Sequence, residues 1–174
     1  MEKSASHICH NKLKFYTLKS SLSLEPSIHL IKNRNQRAWL SRIRTSAHRL
    51  GIETGRYTVP PTPISDRICK YCDEPTKIDD EYHFLMICKT FSLKRACLFG
   101  KIVSVNPTFF DVPEYQIVSK LMCPVDAKIG KLVNKFISIM SAARNRLDKG
   151  ENLDVGSFTN AHAQSDSDGS DNET

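Results

Sequence analysis

The chain has 174 residues, 40% of them hydrophobic, with 25 Lys and Arg against 19 Asp and Glu and a formal net charge of +6. That length suits one modest domain, or a small metal-stapled unit beside a helical one, and is short for a multidomain enzyme. No apolar run approaches the roughly 18 residues of a membrane span and no signal peptide opens the chain, so a soluble intracellular protein, neither secreted nor membrane-bound, is expected.

Residues 1–11 are polar and read as a flexible N-terminus; His7, Cys9 and His10 lie there without a partner at metal-ligand spacing. From Asn11, the run Leu13, Phe15, Tyr16, Leu18 and Leu22 predicts a first helix, and Glu25 to Ile31 a second with Pro26 in its first turn. Gln36 to Leu50 is the clearest helix, because Trp39, Leu40, Ile43, Ala47 and Leu50 share one face; Gly51 is expected to end it. Its polar face carries Arg37, Arg42, Arg44, His48 and Arg49, with Ser41 and Thr45 between them and no acid. A merely solvated face usually mixes signs, so a run of cations without an acidic partner points to phosphate contact. Gly55 to Pro63 holds three prolines and should run extended.

The stretch that follows carries the chemistry. Cys69 and Cys72 bracket two residues, a spacing at which one tight turn aims both sulfurs at a single ion, and His83 and Cys88 follow. Four N and S ligands form a closed tetrahedral set for a structural Zn2+, one per chain, with no open position for water or substrate. His83 and Cys88 fall in a predicted short helix, Asp80 to Cys88, with Asp79 or Asp80 as its N-cap. Residues five apart lie about 140° apart on an α-helix, so both reach one ion only if the helix unwinds at Cys88. Three thiolates, a neutral imidazole and Zn2+ sum to one negative charge, which Arg67, Lys70 and Lys89 are placed to offset. Cys97 is the substitute fourth ligand, and Cys9 and Cys123 read as free thiols.

Beyond the metal turn, Ser92 is expected to cap a helix through Leu98 with Leu93, Ala96 and Cys97 inward and Lys94 and Arg95 outward. Another helix begins near Val112-Pro113, with Asp111 as cap, and buries Ile117, Val118, Leu121 and Met122 before Pro124. The last, Asp126 to about Asp148, turns Ile129, Leu132, Val133, Phe136, Ile137, Met140, Ala143 and Leu147 to one face and Lys128, Lys131, Lys135 and Arg146 to another. Residues 150–174 read as a disordered acidic tail. All 25 cations and 13 of the acids precede residue 150, so the body carries +12, and the remaining six acids give the tail −6. A body that basic favours a polyanionic partner, which such a tail would screen.

One stretch also carries a family likeness. Arg44-Thr45-Ser46-Ala47-His48, Ile52-Glu53, Gly55-Arg56-Tyr57, Arg67, Cys69, Cys72, Asp79-Asp80-Glu81, His83-Phe84-Leu85 and Cys88 together resemble the C-terminal zinc-binding region of non-LTR retrotransposon reverse transcriptases. Arg95, Arg144 and Arg146 extend the resemblance, which covers roughly residues 12–148. It implies a segment that follows a polymerase and helps bind the element's RNA or target DNA. This chain shows neither a polymerase nor an endonuclease pattern, and Ile78 replaces the aromatic lead-in that a polymerase Asp pair would have, so Asp79-Asp80 reads as a helix cap and no catalysis is expected.

The sequence thus predicts a mostly α-helical domain over residues 12–149, stapled by zinc at 67–89 on Cys69, Cys72, His83 and Cys88. Its expected role is electrostatic binding of RNA or single-stranded DNA through Arg37, Arg42, Arg44, Arg49 and Lys70, as a remnant of a mobile-element protein. The alternatives are a zinc-stabilised protein-interaction module and a nonfunctional fragment.

Overall fold

The structure, a computed structural model, describes residues 29–151 apart from Lys32, Asp73 and Pro75. The helices predicted from Asn11 and from Glu25, the flexible N-terminus and the acidic tail lie outside the described residues, except for the ends at His29 to Ile31 and at Gly150 and Glu151. Within them the chain is mostly helical, with no strand: α1 (Arg34–Arg44), α2 (Gly51–Thr54), α3 (Ser92–Val105), α4 (Glu114–Met122) and α5 (Ala127–Asp148). Short 3-10 turns cover Ile64–Asp66 and Lys89–Phe91, and a π-helical turn covers His83–Ile87. Two units divide the chain after Met140, inside α5, and the first holds everything described before that point.

Capping chemistry decides where α1 lies. Asn33 accepts hydrogen bonds on its side-chain oxygen from the Asn35 and Gln36 amides at 2.9 and 3.3 Å, so the helix starts two residues before the predicted Gln36. It also stops at Arg44, six residues short of Leu50. Ser46 takes a left-handed φ of 54°. The Ala47 amide then reaches the Arg42 carbonyl at 2.8 Å and the Ser46 amide that of Ile43 at 3.3 Å, the double closure of a Schellman motif. Gly51, expected as a terminator, instead opens α2. Its amide donates to the Asp79 carboxylate at 2.7 Å, and a Cβ there would sit 3.1 Å from the Asp79 Cβ.

The segment from Gly55 to Pro63, expected to run extended, instead folds back as a closed loop: the Thr62 amide donates to the Gly55 carbonyl at 2.9 Å and to the Thr58 hydroxyl at 2.8 Å, across a cis Val59-Pro60 bond. Arg67 ties it back: Nη1 donates to the Ile52 carbonyl at 2.7 Å and Nε to that of Thr62 at 2.9 Å. The Arg67 stem lies so close over buried Gly55 that a Cβ would meet it at 2.7 Å, which is the reason glycine stands there.

Three helices differ in instructive ways. Helix α3 runs through Gly100 to Val105, well past the predicted Leu98, and its faces are reversed. Arg95, Leu98 and Ile102 are buried, whereas Leu93 is 72% exposed and Ala96 and Cys97 face solvent. The reason is its entry: Phe91, buried edge-to-face on Phe84 with centroids 5.8 Å apart, sets the inner face, and Arg95 and Leu98 follow it at helical spacing. Helix α4 buries Val118, Leu121 and Met122 as expected but leaves Ile117 half-buried, with Pro113 at its N-cap in place of Asp111. Helix α5 is capped by Asp126, whose carboxylate accepts from the Ile129 amide at 2.9 Å. Its first half buries Ile129, Val133, Phe136, Ile137 and Met140, the predicted face. These side chains, with Leu40, Ile43, Leu50, Ile52, Phe84, Leu85 and Phe109, make the core of the first unit.

Candidate metal centre

Two halves of chain converge on the Cys69, Cys72, His83 and Cys88 side chains. The first is a knuckle held by an antiparallel bridge between Ile68 and Ile78, in which the Cys69 amide donates to the Lys77 carbonyl at 3.0 Å and the Asp79 amide to that of Arg67 at 2.8 Å. The bridge closes the loop that carries both knuckle cysteines. The second half starts at Asp80, whose carboxylate accepts from the His83 amide at 2.7 Å as an N-cap. Of the two candidate caps, Asp80 therefore serves this helix and Asp79 serves α2.

The helix does not simply unwind before Cys88; it widens. From His83 to Ile87 it is a π turn, and the Cys88 amide donates to the His83 carbonyl at 2.8 Å. A bond that spans five residues places residue i+5 over residue i, which removes the angular conflict of an α-helical spacing. Cys88 then leaves the helix with φ −48° and ψ 117° and starts the turn into α3.

The four ligand atoms lie within 4.8 Å of one another. The Cys69 and Cys88 sulfurs are 4.0 Å apart and the Cys72 sulfur is 3.4 Å from His83 Nε2. Metal–sulfur bonds of about 2.3 Å and metal–nitrogen bonds of about 2.0 Å at tetrahedral angles require about 3.8 Å between two sulfurs and about 3.5 Å between sulfur and nitrogen, close to these two distances. Cys69, His83 and Cys88 are buried and Cys72 is half-buried. All the cysteines among the described residues are free thiols, so no disulfide competes for the site. Cys97, the substitute ligand, is exposed on α3 outside this group. The residues fit a metal ion by donor chemistry and by distance.

Protonation of the group is coupled. Hydrogen bonding to Cys88, with burial, pushes the Cys69 thiol up to about 11, and the same hydrogen bond holds Cys88 below the usual thiol range. A metal ion entering this group displaces that shared proton.

The cations expected to balance the centre are occupied. Arg67 braces the loop before it, Lys89 pairs with Glu74 at 3.1 Å, and the Lys70 ammonium lies 5.1 Å from the centroid of the Tyr71 ring. Three features near the centre escaped sequence reading. Buried His48 accepts from the Leu50 amide on Nδ1 at 3.3 Å, so its Nε2 proton faces the buried Glu81 carboxylate at 3.1 Å. Tyr82 donates its hydroxyl proton to Glu114, linking the metal turn to α4, and burial with this carboxylate pushes Tyr82 up to about 12. Arg95 donates from Nη2 to the Cys88 carbonyl at 3.0 Å.

The basic face also reads differently in three dimensions. Arg44 is buried and donates from Nε to the Met122 carbonyl at the end of α4, so it and His48 belong to the interior. Arg42 is exposed, with its guanidinium 4.8 Å from the Trp39 ring centroid; Arg49 is exposed beyond the helix; and Arg37 donates to the Ile31 carbonyl at 2.7 Å. Lys70 is exposed beside Cys69 and Cys72 of the candidate ligand group. The spacing did carry a signal for Arg44, which follows Leu40 by four residues and so shares its buried side.

Among the described residues no helix is long and apolar enough to cross a membrane. Comparison of the chain with protein-family models, with curated proteins and with solved structures gave no match in any of the three.

Proposed function

We propose that the chain is a non-catalytic, zinc-stapled helical domain that binds RNA or single-stranded DNA. Cys69, Cys72, His83 and Cys88 would hold one structural Zn2+, which would tie the knuckle to the π turn and, through Cys88, to α3. The observation that carries the metal half is the convergence of three sulfurs and one imidazole, three of the four residues buried, with all ligand atoms within 4.8 Å of one another. A closed four-ligand set leaves no position for substrate, so the ion would contribute stability and no chemistry. The nucleic-acid half is supported by the body charge of +12, by the exposed Arg42, Arg49 and Lys70 with the half-buried Arg37, and by the resemblance to retrotransposon reverse transcriptases, which rests on the motif residues. Arg44 is not in this set, because its guanidinium is used inside the fold. Tyr57, 68% exposed, offers a ring on which a base can stack.

Elemental analysis of the purified protein beside Cys72→Ser tests the metal half. One Zn2+ per chain is expected in the parent and a large loss in the variant; full zinc in Cys72→Ser defeats the assignment. A second reading, a protein-interaction module, is favoured by the reversed α3, which presents Leu93 and Val103 at 72% and 42% exposure. It would replace the nucleic-acid reading if the chain showed no salt-dependent binding to single strands.

A further inference from the structure

Arg95 stands apart from the other cations near the metal centre. Its side chain is 8% exposed, Nη2 holds the Cys88 carbonyl at 3.0 Å, and Nη1 is buried with no hydrogen-bond partner among the described residues. No carboxylate pairs with it there. A guanidinium taken out of water is strongly destabilising unless a negative charge lies close by. Its one partner is the backbone of a metal ligand, so the charge available to it is that of the centre itself. Three neutral thiols supply none. Three thiolates and a neutral imidazole around a divalent cation sum to one negative charge, whereas two thiolates and two imidazoles would sum to zero and leave Arg95 uncompensated.

We propose that Arg95 is the buried counter-charge of an anionic centre formed by a divalent, thiol-seeking cation on Cys69, Cys72, His83 and Cys88, and that it positions Cys88 through its carbonyl. The inference rests on the metal reading above and adds the residue that sets the affinity and charge of the site. The face of α3 that Phe91 turns inward carries Arg95 to the centre and leaves Leu93 and Cys97 outside.

A guanidinium that served only to satisfy the Cys88 carbonyl could be replaced by a neutral donor without loss of metal affinity. A counter-charge could not. The test compares the full chain with Arg95→Gln and Arg95→Lys, using Zn2+ competition against a chelator and the pH at which half the protein is loaded. Arg95→Gln should bind Zn2+ about 10- to 100-fold more weakly and load at higher pH, and Arg95→Lys should recover most of the loss. Should Arg95→Gln be unfolded without metal, the free Zn2+ at which it folds gives the same comparison. Parent-like affinity and loading pH in Arg95→Gln, or equal losses in Gln and Lys, would overturn the inference. A parent chain that takes up no Zn2+ would instead defeat the metal reading itself.

Discussion

Arg44 and Arg95 are charged residues placed inside the fold by their distance from apolar neighbours, and His48, in the turn between α1 and α2, is buried with them. Arg44 lies four residues after Leu40, and Arg95 four after Phe91 and three before Leu98, so each shares a buried side despite its charge. Side-chain type alone assigns all three to solvent, and the partners that make burial tolerable are distant in sequence: Met122 for Arg44, Glu81 for His48. Those pairings are the part of the molecule that periodicity cannot reveal. The buried His48 and Glu81 pair should be among the more sensitive points of the fold. Glu81→Ala leaves the His48 Nε2 proton without its carboxylate acceptor and is expected to cost about 3 kcal/mol, with Glu81→Gln, which retains an acceptor, losing about half as much. Urea unfolding of the two variants checks the order, and equal stability of Glu81→Ala and the parent would remove the pair from the core.

At the scale of elements, the chain's own punctuation was legible where it used common residues and hidden where it did not. Asp80, one of the two candidate caps before the metal turn, acts as that cap, and the start and apolar face of α5 follow the expected spacing, with Asp126 capping it. The end of α1 was not legible, because the left-handed position is filled by Ser46 and the nearby Gly51 is used for close approach to Asp79. A serine at φ 54° carries a conformational cost that glycine does not. Ser46→Gly should therefore stabilise the chain by about 0.5–1 kcal/mol, and Ser46→Val should destabilise it by more. Thermal unfolding measures both; a destabilised Ser46→Gly would show that the Ser46 side chain matters more than its backbone. The π turn belongs to the same lesson. The five-residue spacing of His83 and Cys88 announced a conflict with an α-helix, and widening the turn resolves it while keeping the chain helical up to the second ligand.

At the scale of the whole molecule, metal uptake and proton release are one equilibrium. With the Cys69 thiol held up at about 11 without metal, that group keeps its proton throughout the neutral range and must give it up when an ion binds. Zn2+ affinity is therefore expected to rise with pH, by about one decade or more per unit between about pH 6 and 8, and to be lost on acidification. Chelator competition at several pH values reads this slope, and a pH-independent affinity would show that Cys69 does not ligate. Because structural zinc contributes on the order of 10–16 kcal/mol in small peptides and a domain's whole stability is about 5–15 kcal/mol, metal removal should lower the unfolding midpoint sharply.

Burial of Arg44 divides the basic residues into two kinds, which should separate binding from stability. Arg42 and Arg49 are exposed, whereas Arg44 is spent inside the fold. Arg42→Glu with Arg49→Glu should unfold at the parent's urea concentration yet bind single-stranded RNA more weakly. Removing one phosphate interaction should reduce the slope of log affinity against log salt by about 0.7. Arg44→Ala should do the reverse: it removes a buried charge-assisted hydrogen bond to the Met122 carbonyl and should cost about 2–3 kcal/mol, while any chain that remains folded keeps the parent's salt slope. Filter binding of RNA and single-stranded DNA over a salt series, with unfolding curves for each variant, measures both quantities. If the double variant keeps the parent's affinity and slope on both nucleic acids, phosphate binding does not use this surface, and the exposed Leu93 and Val103 face of α3 becomes the stronger reading.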